Sequence, residues 1–311
     1  MKAFTATRDA AATVRLTEVA EPAPRPDQAL VKVEAYSVNR GETFQLERPP
    51  GGDWRPGKDV AGLVVQAAPD GSGPPVGSRV VGHPPALGWA EYVAVPTGQL
   101  AVLPEQLGTV QAAALPLAGL TALRLLRTAA RHTGHLAGRR ILLTGASGGV
   151  GHYLTELAAA GGAELTAVTA SAERGHRLGE LGAARVVHQV ADAEGPFDLV
   201  LESTGGADLP IALARLAKRG LLLWFGQASR QPVTLDFFAL LNGPTSATIR
   251  QFSYADVDEP DGADLATLVR LAAEGRLHPE LGTVRDWHDT PRTLADLRGR
   301  QIRGNAVLTV N

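Results

Sequence analysis

Two textures of hydrophobic patterning divide the chain. Over roughly the first hundred residues, apolar positions fall in short runs: Ala29–Ala35 sets Leu30, Val31 and Val33 around Lys32 and Glu34, and Val60–Ala67 and Arg79–Val81 are rich in β-branched residues. Such runs predict strands. They are separated by Pro22–Pro26, Pro49–Gly57 and Pro69–Gly77, whose proline and glycine content belongs to turns. From about Gln111 to Arg250 the texture changes, and apolar runs alternate with helical spacing. Ile141–Thr144 is followed by a helix from Gly149 to Ala160, then Glu164–Thr169, a helix from Glu173 to Leu181, and Arg185–His188. Phe197–Glu202, a helix from Leu209 to Ala217, Gly220–Phe225 and Thr245–Gln251 complete the series. Strand–helix–strand repetition predicts a doubly wound parallel sheet covered on both faces. The tail adds a helix over Ala263–Glu274, a strand near Val284, a helix from Pro291 and a closing strand, Ala306–Val310.

Composition narrows the classes. The 311 residues are enough for two unequal cores, and 44% hydrophobic with 20% charged residues excludes a disordered or fibrous chain. Thirty basic residues, only four of them lysine, are scattered among 32 acidic ones, so no broad nucleic-acid or membrane patch is expected. The chain has no cysteine, which excludes disulfides, catalytic thiols and thiolate-bound metals. The longest apolar stretch, Ala112 to Leu123, is interrupted by Pro116, Gly119 and Thr121. It is far short of the ~20 residues that span a bilayer. With no apolar signal core at the N-terminus, the expectation is a cytoplasmic protein.

The segment with most chemical content is Ile141-Leu-Leu-Thr-Gly-Ala-Ser-Gly-Gly-Val-Gly151: a strand, a turn of small residues, then a helix. Amides at such a helix start lack intrahelical acceptors and carry the positive end of the dipole, so they suit a pyrophosphate. Ala146, Gly148 and Gly151 stand where the Rossmann dinucleotide fingerprint places glycines, with alanine replacing the first. Ala146, Ser147, Gly148, Gly149 and Val150 are therefore candidate cofactor-binding positions. Two rival motifs share these residues. Gly145-Ala-Ser147-Gly-Gly149 fits a hydrolase nucleophile elbow, for which Asp198 with His278 or His288 would supply the acid and base. Thr144 to Gly151 also matches the loop of short-chain dehydrogenases. However, the tyrosines 36, 92, 153 and 254 are not followed by a lysine at the spacing those enzymes need.

About twenty residues beyond the loop an NAD-binding chain places an acid against the ribose 2′-hydroxyl. Here Val168-Thr-Ala-Ser-Ala-Glu-Arg174 offers Ser171 and Arg174 instead, and Arg174 can grip a phosphate bidentately. Glu173 reads as support for the following helix start. The expectation is NADPH rather than NADH.

Several ordered motifs now combine. They are Ser37-Val-Asn39, Gly57-Lys-Asp-Val-Ala-Gly62, Val76-Gly-Ser-Arg-Val-Val-Gly82, Gly88-Trp-Ala-Glu-Tyr-Val-Ala-Val-Pro96, Leu115-Pro-Leu-Ala-Gly-Leu-Thr-Ala122, the glycine loop, and Phe197-Asp-Leu-Val-Leu-Glu-Ser-Thr-Gly-Gly206. In order and spacing, from end to end, the chain resembles the zinc-less medium-chain dehydrogenases/reductases of the quinone oxidoreductase branch. The resemblance implies an α/β protein: a Rossmann-type doubly wound domain, residues 114–252, within a GroES-like β-rich catalytic domain split between residues 1–113 and 253–311. It implies that Asn39 lies near the nicotinamide ribose and substrate and that Thr121 lies beside the cofactor. Ser171 and Arg174 would take the 2′-phosphate, and Ser203, Thr204, Phe225 and Gln227 would contact the nicotinamide half. Arg300 would reach the cofactor from the C-terminal segment. It also implies a homodimer formed through the last Rossmann strand, near Ala247–Gln251.

Departures from the family pattern bear on the chemistry. A tyrosine common near the nicotinamide is replaced by Phe44, which removes a hydroxyl. His83, His132 and His135 lack a third ligand of suitable spacing and read as surface histidines, with no metal site. Without a metal to polarise a carbonyl, the expected acceptors are already electron-poor carbons: a quinone, or the β-carbon of an α,β-unsaturated carbonyl compound. Phe44, Trp54, Trp89 and Phe252 are candidate pocket residues for such flat substrates. Asn39 is the candidate for orientation and Tyr254 for proton donation. The open alternative is an NADP-binding protein without net redox chemistry, acting in a biosynthetic cyclisation or as a nucleotide sensor or structural protein.

Overall fold

The first elements of the chain are antiparallel strands. In the computed structural model, which describes residues 1–7, 13–241, 243–256 and 259–311, β1 (Lys2–Ala6) and β2 (Val14–Glu18) form a two-stranded ribbon. The long strand β3 (Gln28–Val38) is followed by the short helix α1 (Arg40–Gln45), β4 (Val60–Gln66), β5 (Arg79–Gly82), β6 (Tyr92–Pro96) and β7 (Leu100–Val102). Two helices come next, α2 (Thr109–Ala113) and α3 (Pro116–Thr133).

A second texture begins with β8 (Arg140–Leu143) and α4 (Gly149–Ala160), then β9 (Glu164–Val168), α5 (Ala172–Glu180) and β10 (Arg185–Val187). It continues through β11 (Phe197–Glu202), α6 (Asp208–Ala214), β12 (Leu216–Trp224), α7 (Phe237–Leu241) and β13 (Thr248–Gln251). The last segment supplies α8 (Asp261–Ala273), β14 (Leu281–Asp286), α9 (Thr290–Arg298) and β15 (Asn305–Thr309).

These elements gather into two compact units, Met1–Leu120 with Asp258–Asn311, and Thr121–Val257. The first is built on a sheet of order β14-β15-β3-β4-β5-β7, with β6 also paired to β3. Its core contains Phe4, Val31, Tyr36, Val60, Val93, Trp89 and Trp287. Trp89 stacks on Tyr36 with ring centroids 5.8 Å apart, and its indole N–H donates to the Ser37 carbonyl.

The second unit is a six-stranded, wholly parallel sheet of order β10-β9-β8-β11-β12-β13. Ile141–Leu143 and Leu199–Leu201 are completely buried, because helices cover both faces and leave no polar side to alternate with. Each such side chain contributes roughly 1.5–3 kcal/mol on burial. Numbered within the unit, the strand order is 3-2-1-4-5-6, which places a topological switch point between β8 and β11. Ligands of open α/β sheets bind outside the carboxyl ends of the strands at that point.

Two elements differ from the sequence reading. The stretch over Ala112–Leu123, read as interrupted, contains the start of the 18-residue helix α3. Pro116 is its first residue, where a missing N–H costs nothing. A Cβ on Gly119 would lie 2.9 Å from Leu268 Cδ1, so this glycine admits the side chain of α8. The helix predicted to run to Ala217 stops at Ala214, and β12 starts at Leu216. Its pairing with β11 then shifts register, from Phe197 opposite Leu216 to Leu199 opposite Leu221, across a stretch in which Arg219 takes a positive φ of 61°. Among the described residues no helix is long and apolar enough to cross a membrane.

Candidate active site

The glycine loop lies at the carboxyl end of β8, beside the switch point. Gly145 takes a positive φ of 64°, and a Cβ there would stand 2.5 Å from Ser203 Oγ. Gly148 caps α4, and a Cβ on Gly151 would fall 2.2 Å from the Ala146 carbonyl oxygen. Gly151 is thus required by the close approach of the Ala146 backbone, and Gly145 by its positive φ and the Ser203 side chain beside it. Ser147, Gly148, Gly149 and Val150 are half-buried while Ala146 is buried, its N–H bonded to the Val168 carbonyl. The first amides of α4 have no acceptor within the helix. The loop fits a dinucleotide pyrophosphate through its donors at a helix N-terminus, where Gly148 and Gly149 carry no side chain.

A polar network ties this loop to the end of β11. The Thr144 hydroxyl donates to Glu202 Oε1 at 2.9 Å and accepts the Ser203 N–H at 2.9 Å. Ser203 Oγ donates in turn to the Thr144 carbonyl. Glu202 is fully buried and also accepts the N–H groups of Thr204 and Gly205. Burial pushes its carboxyl up from the ordinary range, and these donors oppose the shift. Thr144 and Glu202 therefore set the strand ends from which Ser203 and Thr204 project. After β12, Phe225 and Gln227 are half-buried, and the Trp224 indole braces the turn by donating to the Gly226 carbonyl at 2.7 Å. Gln227 Nε2 donates to the Gln231 carbonyl.

Ser171 and Arg174 follow β9. Ser171 is the N-cap of α5, its hydroxyl accepting the Arg174 N–H at 3.4 Å, and both residues remain partly exposed. Thr121 is buried within α3. Phe252 is buried after β13, and Tyr254 is half-buried, with its carbonyl accepting from Arg124 Nη1 at 2.8 Å.

The other unit holds Asn39, half-buried at the start of α1. Its backbone N–H donates to Glu42 Oε2 at 2.9 Å, and the Gly57 N–H donates to Glu42 Oε1 at 3.1 Å. Gly57, at φ 113°, is also held against the Gly88–Trp89 backbone, where a Cβ would lie 2.2 Å from the Trp89 nitrogen. Glu42 is almost wholly buried, and burial together with the nearby Asp59 charge pushes its carboxyl up to about 8. Asp59 is completely buried and accepts from the Asn39 side chain at 2.6 Å, the Ser37 hydroxyl, the Leu117 N–H at 3.0 Å and His83 Nδ1 at 3.1 Å. Phe44 is 37% exposed, Trp54 is half-buried and packs on the core, and Arg300 is exposed after α9.

Three expectations change. His83 is not a surface histidine: it is 3% exposed and bonded to Asp59, whereas His132 and His135 are exposed as expected. Trp89 has no exposed surface, so it belongs to the core rather than a pocket wall. The hydrolase reading fails on geometry. Asp198 accepts the Arg140 N–H at the amino end of β8, while Ser147 lies beyond its carboxyl end, about 13 Å away along the strand. Glu42, Asp59, Thr144 and Glu202 join the site residues expected from sequence. Asn39 and Glu42 carry the three-residue spacing of a capping box, a signal that was available.

Residues 149–273 match the family described as zinc-binding dehydrogenase, and residues 25–105 match the alcohol dehydrogenase GroES-like domain. The quinone oxidoreductase of Rattus norvegicus is 33% identical over 210 residues, covering 66% of this chain and 62% of that protein. That of Mus musculus is 31% identical over 238 residues, covering 71% and 70%. The alignments with the first two curated relatives thus span about three-fifths of those proteins' length. The structure of mycobacterial Rv1454c complexed with NADPH superposes with a TM-score of 0.89 at 25% identity, covering 99% of this chain and 100% of that one. The chain belongs to the medium-chain dehydrogenase/reductase superfamily, in its quinone oxidoreductase-like group. Zinc does not fit the residues present. The chain has no cysteine, no three His, Asp or Glu side chains converge among the described residues, and Asp59 is already engaged by four protein donors.

Proposed function

We propose that the chain is an NADPH-dependent reductase that delivers hydride to a quinone or to the activated C=C of an α,β-unsaturated carbonyl compound, without a metal. The observation that carries this reading is the glycine loop at the switch point, with Ser171 and Arg174 after the neighbouring strand in place of an acid. Kinship with the rodent quinone oxidoreductases supports the acceptor class.

In this reading Ala146, Ser147, Gly148, Gly149 and Val150 bind the pyrophosphate through backbone donors and the α4 dipole. Ser171 and Arg174 hold the 2′-phosphate by charge-assisted hydrogen bonds. Thr121, Ser203, Thr204, Phe225, Gln227 and Arg300 position the rest of the nucleotide. Asn39 orients the reacting groups, and Tyr254 is the candidate proton donor in a site where Phe44 offers no hydroxyl. NADPH, when bound, supplies the hydride from its nicotinamide ring. Phe44, Trp54 and Phe252 favour flat, conjugated substrates. The functional division is residues 1–113 with 253–311 for the substrate and residues 114–252 for the dinucleotide.

A homodimer is part of the proposal. The edge strand β13 is exposed along its whole length, Ile249 included, and Phe237, Phe238 and Leu241 of the preceding helix α7 are exposed as well. An unpaired edge of this kind is suited to a second copy of the chain. The cytoplasm, with its reducing nucleotide pool, is the compartment we assign. The test is turnover: purified protein is mixed with NADPH and a panel of quinones and enones, and loss of the reduced-nicotinamide absorbance is followed. Tight NADPH binding with no turnover on any acceptor would remove the reductase reading.

A further inference from the structure

The Asn39 carboxamide has two N–H hydrogens and one carbonyl oxygen. Its Nδ2 lies 2.6 Å from Asp59 Oδ2 and 3.3 Å from Ser37 Oγ. Ser37 has a single hydroxyl hydrogen and gives it to the same Asp59 oxygen, so toward Asn39 it is an acceptor. Both amide hydrogens are therefore spent inside the protein. The reverse orientation of the amide would press its carbonyl oxygen against a carboxylate oxygen at 2.6 Å, so the network itself assigns the amide's direction. Asp59 cannot turn away to release it. The Leu117 N–H and His83 Nδ1 hold its other oxygen at 3.0 and 3.1 Å, and the residue is completely buried.

We propose that Asp59 is a positioning residue that presents Asn39 to the bound reactants as a hydrogen-bond acceptor only. The inference rests on the reading that Asn39 faces the nicotinamide and substrate. Asn39 then accepts from a hydroxyl through Oδ1 and never donates to the oxygen that gains charge during reduction. The proton that completes the product comes from another group or from water. His83 and Ser37 act through Asp59 by fixing the plane of its carboxylate.

Exchanging the two side chains separates an acceptor from a donor. In the double variant N39D/D59N, the amide at position 59 donates to the carboxylate at position 39. The second oxygen of that carboxylate replaces Oδ1, but no hydrogen is left at position 39 to donate. The readouts are the single-turnover rate of NADPH oxidation by 1,4-benzoquinone and NADPH affinity by nicotinamide fluorescence. Asn39→Ala and Asp59→Asn should each slow hydride transfer about 100-fold, as misplacement of a reacting group does. NADPH affinity should stay within about threefold, because most of the nucleotide is bound elsewhere. N39D/D59N should recover to within about tenfold of wild type. A double variant as slow as Asn39→Ala overturns the inference, as does a wild-type rate in Asp59→Asn. Should Asp59→Asn fail to fold, judged by its thermal melt, the comparison of N39D/D59N with Asn39→Ala decides alone. Absence of NADPH oxidation by the wild-type protein would instead contradict the functional reading itself.

Discussion

Tyr36 and Thr290 lie 254 residues apart in sequence, and their hydroxyl oxygens are 2.7 Å apart in the core of one unit. Thr290 gives its only hydrogen to the Trp287 carbonyl, so Tyr36 donates and Thr290 accepts. Burial holds the phenol well above its usual range, which keeps that proton in place. This bond joins the C-terminal helix α9 to strand β3 and so closes a unit whose sequence is split in two.

Replacing Thr290 by valine leaves the buried Tyr36 hydroxyl without an acceptor. The expected loss is about 1–3 kcal/mol, and removing the hydroxyl as well in the double variant Tyr36→Phe/Thr290→Val should restore part of it. Urea denaturation of the three variants checks this. Equal stability of the single Thr290 variant and wild type would contradict the bond's role.

Glu42 makes stability depend on pH with a definite sign. Its folded carboxyl titrates near 8 against an ordinary value of 4.5, so between these values the folded state holds the proton more tightly. Its contribution is therefore full below about pH 4.5 and is lost as pH rises through 8. Glu42→Gln should flatten the stability curve between pH 5 and 8 by up to about 1.4 kcal/mol per pH unit. Denaturant midpoints measured across that range test it, and parallel curves for the two proteins would refute the assignment.

Gly151→Ala places a methyl group against the Ala146 carbonyl, where backbone rather than a flexible side chain must move. Displacement of the loop should weaken NADPH binding at least about tenfold, equal to about 1.4 kcal/mol. Nicotinamide fluorescence titration measures this. An unchanged dissociation constant would mean that the loop does not hold the pyrophosphate.

Arg174→Ala removes the cation assigned to the 2′-phosphate. A charge-assisted hydrogen bond contributes about 1.5–3 kcal/mol, so NADPH affinity should drop roughly 10- to 100-fold while NADH affinity stays nearly constant. Titrating both nucleotides against the variant decides the point, and a preserved preference for NADPH would reassign the phosphate site.

Much of the fold was legible because its signals are local. Ile141–Leu143 reads as a buried parallel strand from its own composition, and the α4 limits at Gly149 and Ala160 follow from the glycine loop and the residues after it. Pro116 and Gly119 hide helix α3 in the sequence, although one starts the helix and the other fits against Leu268. The polar network around Asp59 was not legible at all. Its partners are Ser37, Asn39, His83 and Leu117, which only the folding of β3, β4 and the following loops brings together. His83 looked like a solvated histidine because nothing beside it in sequence is its partner. Glu202 was hidden in the same way, since Thr144 lies 58 residues away.

The most direct measurement follows the hydride itself. The protein is incubated with NADPH deuterated at nicotinamide C4, prepared separately in each stereochemical form, and with a conjugated enone, and the product is analysed by NMR. Deuterium delivered from one of the two forms to the β-carbon, by protein stripped of metal with a chelator, is the predicted result. A product without label, or turnover that stops when metal is removed, would contradict direct metal-free transfer to an activated carbon.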